Sequence, residues 1–149
     1  MDWFVKAFIR ASLVWFSLGI ALGLAMAAQP QWVVYRPAHA HMNVVGFITM
    51  MVFGVGYQLL PRLFGYKLHS SALAVAHWWL ANVGLAAMVV GFILAPHVGT
   101  RSAPVTTVGG SLFALGAFAF VANLWKTFNA ADARQRDRAL ARSLPTIGE

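Results

Sequence analysis

Cysteine is absent from the chain. Its absence excludes disulfides, iron–sulfur clusters and thiolate metal ligands, and leaves histidine as the strongest metal ligand, with Met and Tyr behind it. Charge is nearly as scarce. Asp and Glu together number 4, and charged residues make up 10% of the chain, against roughly 25% in an average globular protein. So few charges cannot coat a soluble domain of 149 residues, and a bilayer is the expected solvent. Zinc-finger spacings, RNP patterns and basic helices with interleaved aromatics are also missing. The basic residues behind the net charge of +7 flank apolar runs and do not line one face, so nucleic acid is not an expected partner.

Apolar residues, by contrast, make up 60% of the sequence, in runs at about 8–28, 38–60, 72–95 and 105–125. Each run has roughly the 20 residues needed to cross about 30 Å of hydrocarbon as a helix, where strands would be half as long and would alternate in polarity. The expected fold is an all-α integral membrane protein with four transmembrane helices over residues 1–128 and a charged cytoplasmic tail over 129–149. The tail reads as a short surface helix that frays. The first run has the outline of a signal peptide, with Lys6 and Arg10 ahead of it and Ala25-Met26-Ala27 near its end, but it is read as a retained helix. Its Gly19 and Gly23 form a GxxxG pair, a motif common by chance. Nine basic residues (Lys6, Arg10, Arg62, Lys67, Lys126, Arg134, Arg136, Arg138 and Arg142) fall on one side of this topology, and only Arg36 and Arg101 on the other. The positive-inside rule then puts both termini in the cytoplasm of a multi-pass, bacterial-type inner membrane protein, with lipid as its surroundings.

The histidines are the candidate functional groups, because an ionisable residue inside a membrane is costly and marks a site by default. The stretch Arg36-Pro37-Ala38-His39-Ala40-His41-Met42-Asn43 opens the second run. At 100° per residue His39 shares a face with Asn43, Gly46, Met50, Phe53 and Tyr57, a polar, small and aromatic stripe suited to packing or to a cofactor. His41 falls with Val45, Ile48, Val52, Val55 and Leu59, an aliphatic face suited to lipid or a neighbouring subunit. Gly46 and Gly54 would admit either a flat macrocycle or a close helix. A His-x-His pair on a helix does not chelate a metal, since its rings point apart. His77, on the third run with Ala81, Gly84, Met88 and Gly91, is expected on the order of 20 Å or more from the pair along the membrane normal. It is read as a hydrogen-bonding residue between helices before a second metal site. His97 lies in the same leaflet as the pair, within reach of a shared cofactor or of water, and His69 is expected to be solvated.

From Arg36 to Gly65 the chain resembles the second transmembrane helix of subunit I of the haem-copper oxidase superfamily, which includes the large subunits of nitric oxide reductases. The matching residues are Arg36, His39 or His41, Asn43, Gly54, Gly56, Tyr57, Leu59, Pro61 and Gly65; His77-Trp78-Trp79-Leu80 is similar to the opening of the family's third helix. The resemblance implies that one of His39 and His41 ligates a b-type haem near the outer leaflet and that Arg36 meets its propionates. Aligning on His41-Met42-Asn43 selects His41, while counting back from Tyr57 and Pro61 favours His39. The sequence lacks the further histidines of a binuclear centre, so a complete oxygen- or NO-reducing centre is not expected within one chain. Family members arrange their helices in three arcs of four, so a homo-oligomer, a trimer by this analogy, would rebuild the ring.

The leading expectation is thus a haem-binding membrane protein acting in electron transfer, with quinol or a respiratory partner, or in binding a diatomic gas (NO or O₂). Its cofactor-binding candidates are His39, His41, Arg36, Asn43, Tyr57 and His97. The alternatives are a non-catalytic accessory or assembly subunit of a respiratory complex, or a metal-binding membrane protein that uses His39, His41 and His97 at the outer surface to hold copper or zinc, with His77 as a separate metal candidate.

Overall fold

The computed structural model describes residues 2–143. Its elements are α1 (Trp3–Ala28), a 3-10 turn (Pro30–Tyr35), α2 (Arg36–His41), a π-helical stretch (Met42–Thr49), α3 (Met50–Leu63), α4 (Ser71–Val98), a second 3-10 turn (Gly99–Ser102) and α5 (Ala103–Ser143). The described residues contain three helical stretches long and apolar enough to cross a membrane, Trp3–Ala28, Pro30–Leu63 and Ser71–Ser143. The fold is all-helical and its chemistry is that of a membrane protein. The third stretch folds back on itself at Gly99, whose φ of +59° turns the chain out of α4.

Glycines set the distances between helices. A β-carbon on Gly84 of α4 would lie 2.5 Å from the Phe113 nitrogen and 2.7 Å from the Gly109 oxygen, and one on Gly109 of α5 would lie 2.5 Å from the Met88 nitrogen. The α4–α5 hairpin is therefore a backbone-to-backbone contact that only glycine permits. Further along the same pair, Gly91 faces Thr106 and Gly116 faces His77 and Ala81, so the two helices run antiparallel. The same device joins α1 to the second stretch, where Gly46 receives Trp15 and Gly54 receives Phe8. Both glycines of that stripe are thus covered by α1, which decides between a macrocycle and a helix as their neighbour.

The stripe expected to face inward does so. Gly46, Met50, Phe53 and Tyr57 are buried and Asn43 is half-buried, while on the other face Ile48, Val52, Val55 and Leu59 are exposed to whatever surrounds the bundle and Val45 is half-buried against the core. The stretch is not a uniform α-helix, however. Residues Met42–Thr49 are π-helical, and the Thr49 hydroxyl donates to the Val44 carbonyl five residues back at 2.9 Å. A wider turn of this kind shifts the phase of the helix by part of a turn. It comes where Gly46 lets Trp15 press against the backbone.

Three boundaries differ from the sequence expectation. Pro61 and Pro96 lie inside α3 and α4 rather than ending them. Each sits in the last turn, where a missing N–H frees only a carbonyl close to the helix end. The segment after residue 125 does not separate into a surface helix, because α5 continues unbroken to Ser143. Ala and Arg dominate that extension and are good helix formers. The remainder of the expected tail, 144–149, lies outside the described residues.

Candidate functional site at the helix-pair mouth

His39 and His41 share the short helix α2, whose first turn takes Pro37 without strain. Their rings face different neighbours. His39 turns to α1, where its Nδ1 lies 2.9 Å from the Gly19 carbonyl oxygen. A carbonyl only accepts, so Nδ1 carries the proton and Nε2 keeps its lone pair. The notch that holds the ring is the GxxxG pair. A β-carbon at Gly23 would fall 2.8 Å from His39 Cε1, and one at Gly19 would fall 2.6 Å from Asn43 Nδ2. Asn43 in turn donates to the His39 backbone carbonyl at 2.8 Å, one turn back. Its 3.4 Å approach to His39 Nδ1 joins two donors and is not a hydrogen bond.

His41 points to α4. Its Nδ1 donates to the Pro37 carbonyl of its own helix at 2.8 Å, and its ring lies 4.5 Å from that of Phe92. With Ala40, Val44 and Val45 it lines an open, apolar hollow of about 250 Å³ on the outward side. The two imidazoles thus have the same tautomer but no common target, as the helical geometry requires.

His97, at the end of α4, pairs with the Tyr35 hydroxyl at 2.9 Å, so the pair ties the first 3-10 turn to the α4 terminus. Tyr35 also stands edge-on to Trp32 at 5.9 Å. Arg36 is exposed at the start of α2. His69 is exposed too, and only its backbone N–H is engaged, donating to the Thr127 hydroxyl at 3.0 Å.

At the other end of the bundle His77 is fully buried. Tyr57 and His77 form a hydrogen bond of 3.0 Å between the phenol and Nδ1, linking α3 to α4. The rings of Phe53 and Phe8 stand 4.4 and 4.8 Å away, Phe120 lies 5.7 Å away, and the His77 Nε2 has no hydrogen-bond partner. His77 packs on Phe8 of α1 whereas His39 bonds Gly19 of the same helix, 11 residues along. That spacing amounts to about 16 Å at 1.5 Å per residue, too far for one ion to be shared. Among the described residues no three His, Cys, Asp or Glu side chains come together as a metal set. The structure therefore brings Asn43 to His39 and Tyr57 to His77, and leaves His41 and His97 each with a separate neighbour.

Sequence reasoning passed over three groups that matter here. Gly19 and Gly23 were indistinguishable from a chance GxxxG. Asn123 is buried on α5 and clasps the Ser70 backbone twice, donating to its carbonyl at 2.7 Å and accepting from its N–H at 3.0 Å. Phe120 completes the aromatic wall around Tyr57 and His77. A lone buried Asn in an otherwise apolar run was the available signal for the second.

The family model described as "Cytochrome C and Quinol oxidase polypeptide I" matches residues 4–136. The chain belongs to that family. Among its relatives, a "Cbb3-type cytochrome c oxidase subunit CcoN1" of Stutzerimonas stutzeri is 25% identical over 165 residues, covering 91% of this chain and 35% of that protein. A "Cytochrome c oxidase subunit 1" of Rhodobacter capsulatus is 33% identical over 114 residues, covering 60% of this chain and 21% of that protein. The chain thus spans about a third or less of the length of these relatives. Membership extends the resemblance seen at Arg36–Gly65 across nearly all of the described helices, including α1 and the α4–α5 hairpin.

Proposed function

We propose that the protein is a haem-binding membrane protein of the oxidase subunit I family, with His39 as an axial ligand of a b-type haem. The observation that carries this reading is the Gly19 carbonyl at 2.9 Å from His39 Nδ1. Ligating histidines characteristically donate their second ring N–H to such a carbonyl, which fixes the tautomer and aims the lone pair of Nε2. The donor set therefore fits the group. Arg36, exposed one helical turn before His39, would meet the propionates, and Asn43 holds the carbonyl of the ligand residue. When bound, the haem supplies a one-electron carrier, or a gas-binding iron if one axial position stays open.

The chain offers His39 no second histidine on the same face. His41 turns to Phe92, His97 to Tyr35, and His77 lies farther down α4. In this reading the other axial ligand comes from a second copy of the chain in a homo-oligomer, trimeric by analogy with the three arcs of the family. A haem held by histidines of two chains would serve electron transfer, with quinol or a respiratory partner as donor or acceptor, rather than capture of NO or O₂. Four membrane crossings with both termini inside a bacterial-type inner membrane belong to this reading, supported by the fold-back at Gly99 and by the asymmetry of Lys and Arg.

The test is an absorption spectrum of protein purified after expression with ample haem. A Soret band that disappears in His39→Ala and persists in His41→Ala is the expected result. Loss only in His41→Ala moves the ligand to the α4-facing ring. Colourless wild-type protein refutes haem binding altogether, and would leave the accessory-subunit reading in its place.

A further inference from the structure

The opposite end of the bundle carries a polar recess that the reading above does not use. It has a volume of about 330 Å³ and is lined by Tyr57, Gln58, Arg62, Tyr66, Lys67 and Ser71, among others, with Asp2 its one acidic wall. Its shape comes from the end of α3. Gly65, at φ +69°, reverses the chain so that the Tyr66 N–H bonds the Pro61 carbonyl at 2.8 Å and the Gly65 N–H bonds the Arg62 carbonyl at 3.1 Å. This pair of bonds is the Schellman closure of a helix, with glycine in the left-handed position that it requires. The closure returns Tyr66 and Lys67 over Pro61, opposite Arg62. The clasp of Asn123 on Ser70 then holds the same connection against α5. An adjoining hollow of about 170 Å³ shares Tyr66 and Lys67 and adds Arg134.

We infer that this recess binds the phosphate headgroup of an anionic phospholipid. Three lines converge on it. Arg62 and Lys67 outnumber Asp2, so the recess is net positive, and an Arg–Lys pair with phenol, carboxamide and hydroxyl groups around it matches a phosphodiester. The volume falls in the range of small-ligand sites. Exposed apolar side chains begin beside the cations, with Leu63 at 66% and Phe64 at 56% exposure. A free phosphate has no use for them, whereas an acyl chain would lie along them. The inference stands whether or not the chain carries haem.

The experiment uses the full-length protein in detergent, with lipid retention read by native mass spectrometry. Phosphatidylglycerol and phosphatidylcholine of identical acyl chains are titrated in parallel. Phosphatidylglycerol is expected to be retained preferentially, and Arg62→Gln or Lys67→Gln, both at exposed positions, should each weaken it by about fivefold. Arg138→Gln with Arg142→Gln, exposed on α5 away from the recess, removes two charges where each recess variant removes one, and should leave retention unchanged. Equal retention of the two lipids overturns the proposal, and so does an equal loss in the α5 variant, which would indicate bulk charge. Displacement by inorganic phosphate at concentrations matching the lipid overturns it as well, in favour of a soluble phosphate ligand.

Discussion

Gly23→Ala tests the contact on which the His39 assignment depends. The added β-carbon would meet His39 Cε1 at 2.8 Å and Nδ1 at 3.3 Å. Ordinary carbon contacts begin near 3.5 Å, so the ring must withdraw by about 0.7 Å. Its Nδ1–H bond to Gly19, 2.9 Å long, would stretch past the useful limit of about 3.2 Å. Losing that bond costs about 0.6 kcal/mol by the average of measured cycles in membrane proteins, and the overpacking adds about 1–3 kcal/mol. Helix preference for Ala over Gly returns about 1 kcal/mol. The net expectation is a loss of about 0.6–2.6 kcal/mol, read as reversible unfolding of detergent-solubilised protein. Gly110→Ala is the internal control, since its β-carbon meets only Met88 Sδ at 3.7 Å, and it should be neutral or stabilising by up to about 1 kcal/mol. In a His39→Ala background the Gly23→Ala penalty should vanish, because the ring it strikes is gone. Equal stability of Gly23→Ala and Gly110→Ala, or an undiminished penalty without His39, would refute the packing of this imidazole in the α1 notch.

Other positions give sharp expectations of their own. Gly84→Ala drives a β-carbon against backbone atoms at 2.5 Å, which no side-chain rotation relieves, and should destabilise the α4–α5 hairpin by about 2–3 kcal/mol in the same unfolding assay. Tyr57→Phe leaves His77 with neither nitrogen partnered inside the aromatic wall, a loss of about 1–2 kcal/mol; adding His77→Leu should recover part of it, and strict additivity in that double-mutant cycle would count against the bond. Asn123→Ala removes both bonds to the Ser70 backbone and should cost about 1–3 kcal/mol. It should also accelerate amide exchange at Ser70 and Leu73, whose N–H groups depend on this cap; unchanged exchange would show that the clasp does not hold the connection.

What the sequence disclosed and what it concealed divide along a physical line. The inward stripe from Asn43 to Tyr57 was legible because burial on one helix repeats with the period of that helix, and a single π-helical stretch rotates the pattern by too little to hide it. The expected separation of His39 from His41 was legible for the same reason. The partners were not. Whether Gly19 and Gly23 are incidental or form the seat of an imidazole depends on which helix lies against them, and no pattern along either helix pairs Tyr57 with His77. Both facts belong to the relation between two helices, and a periodicity read along one helix carries no term for it. The same limit applied to Gly46 and Gly54, where a macrocycle and a helix make equal demands on a smooth surface and only the position of Trp15 and Phe8 separates them. That outcome bears on the haem itself. With Gly46 and Gly54 covered by Trp15 and Phe8 of α1, a haem held by His39 in the proposed reading would not have that stripe as its seat. If the second ligand comes from another copy of the chain, as proposed, oligomeric state and haem content should change together in any variant that disturbs either.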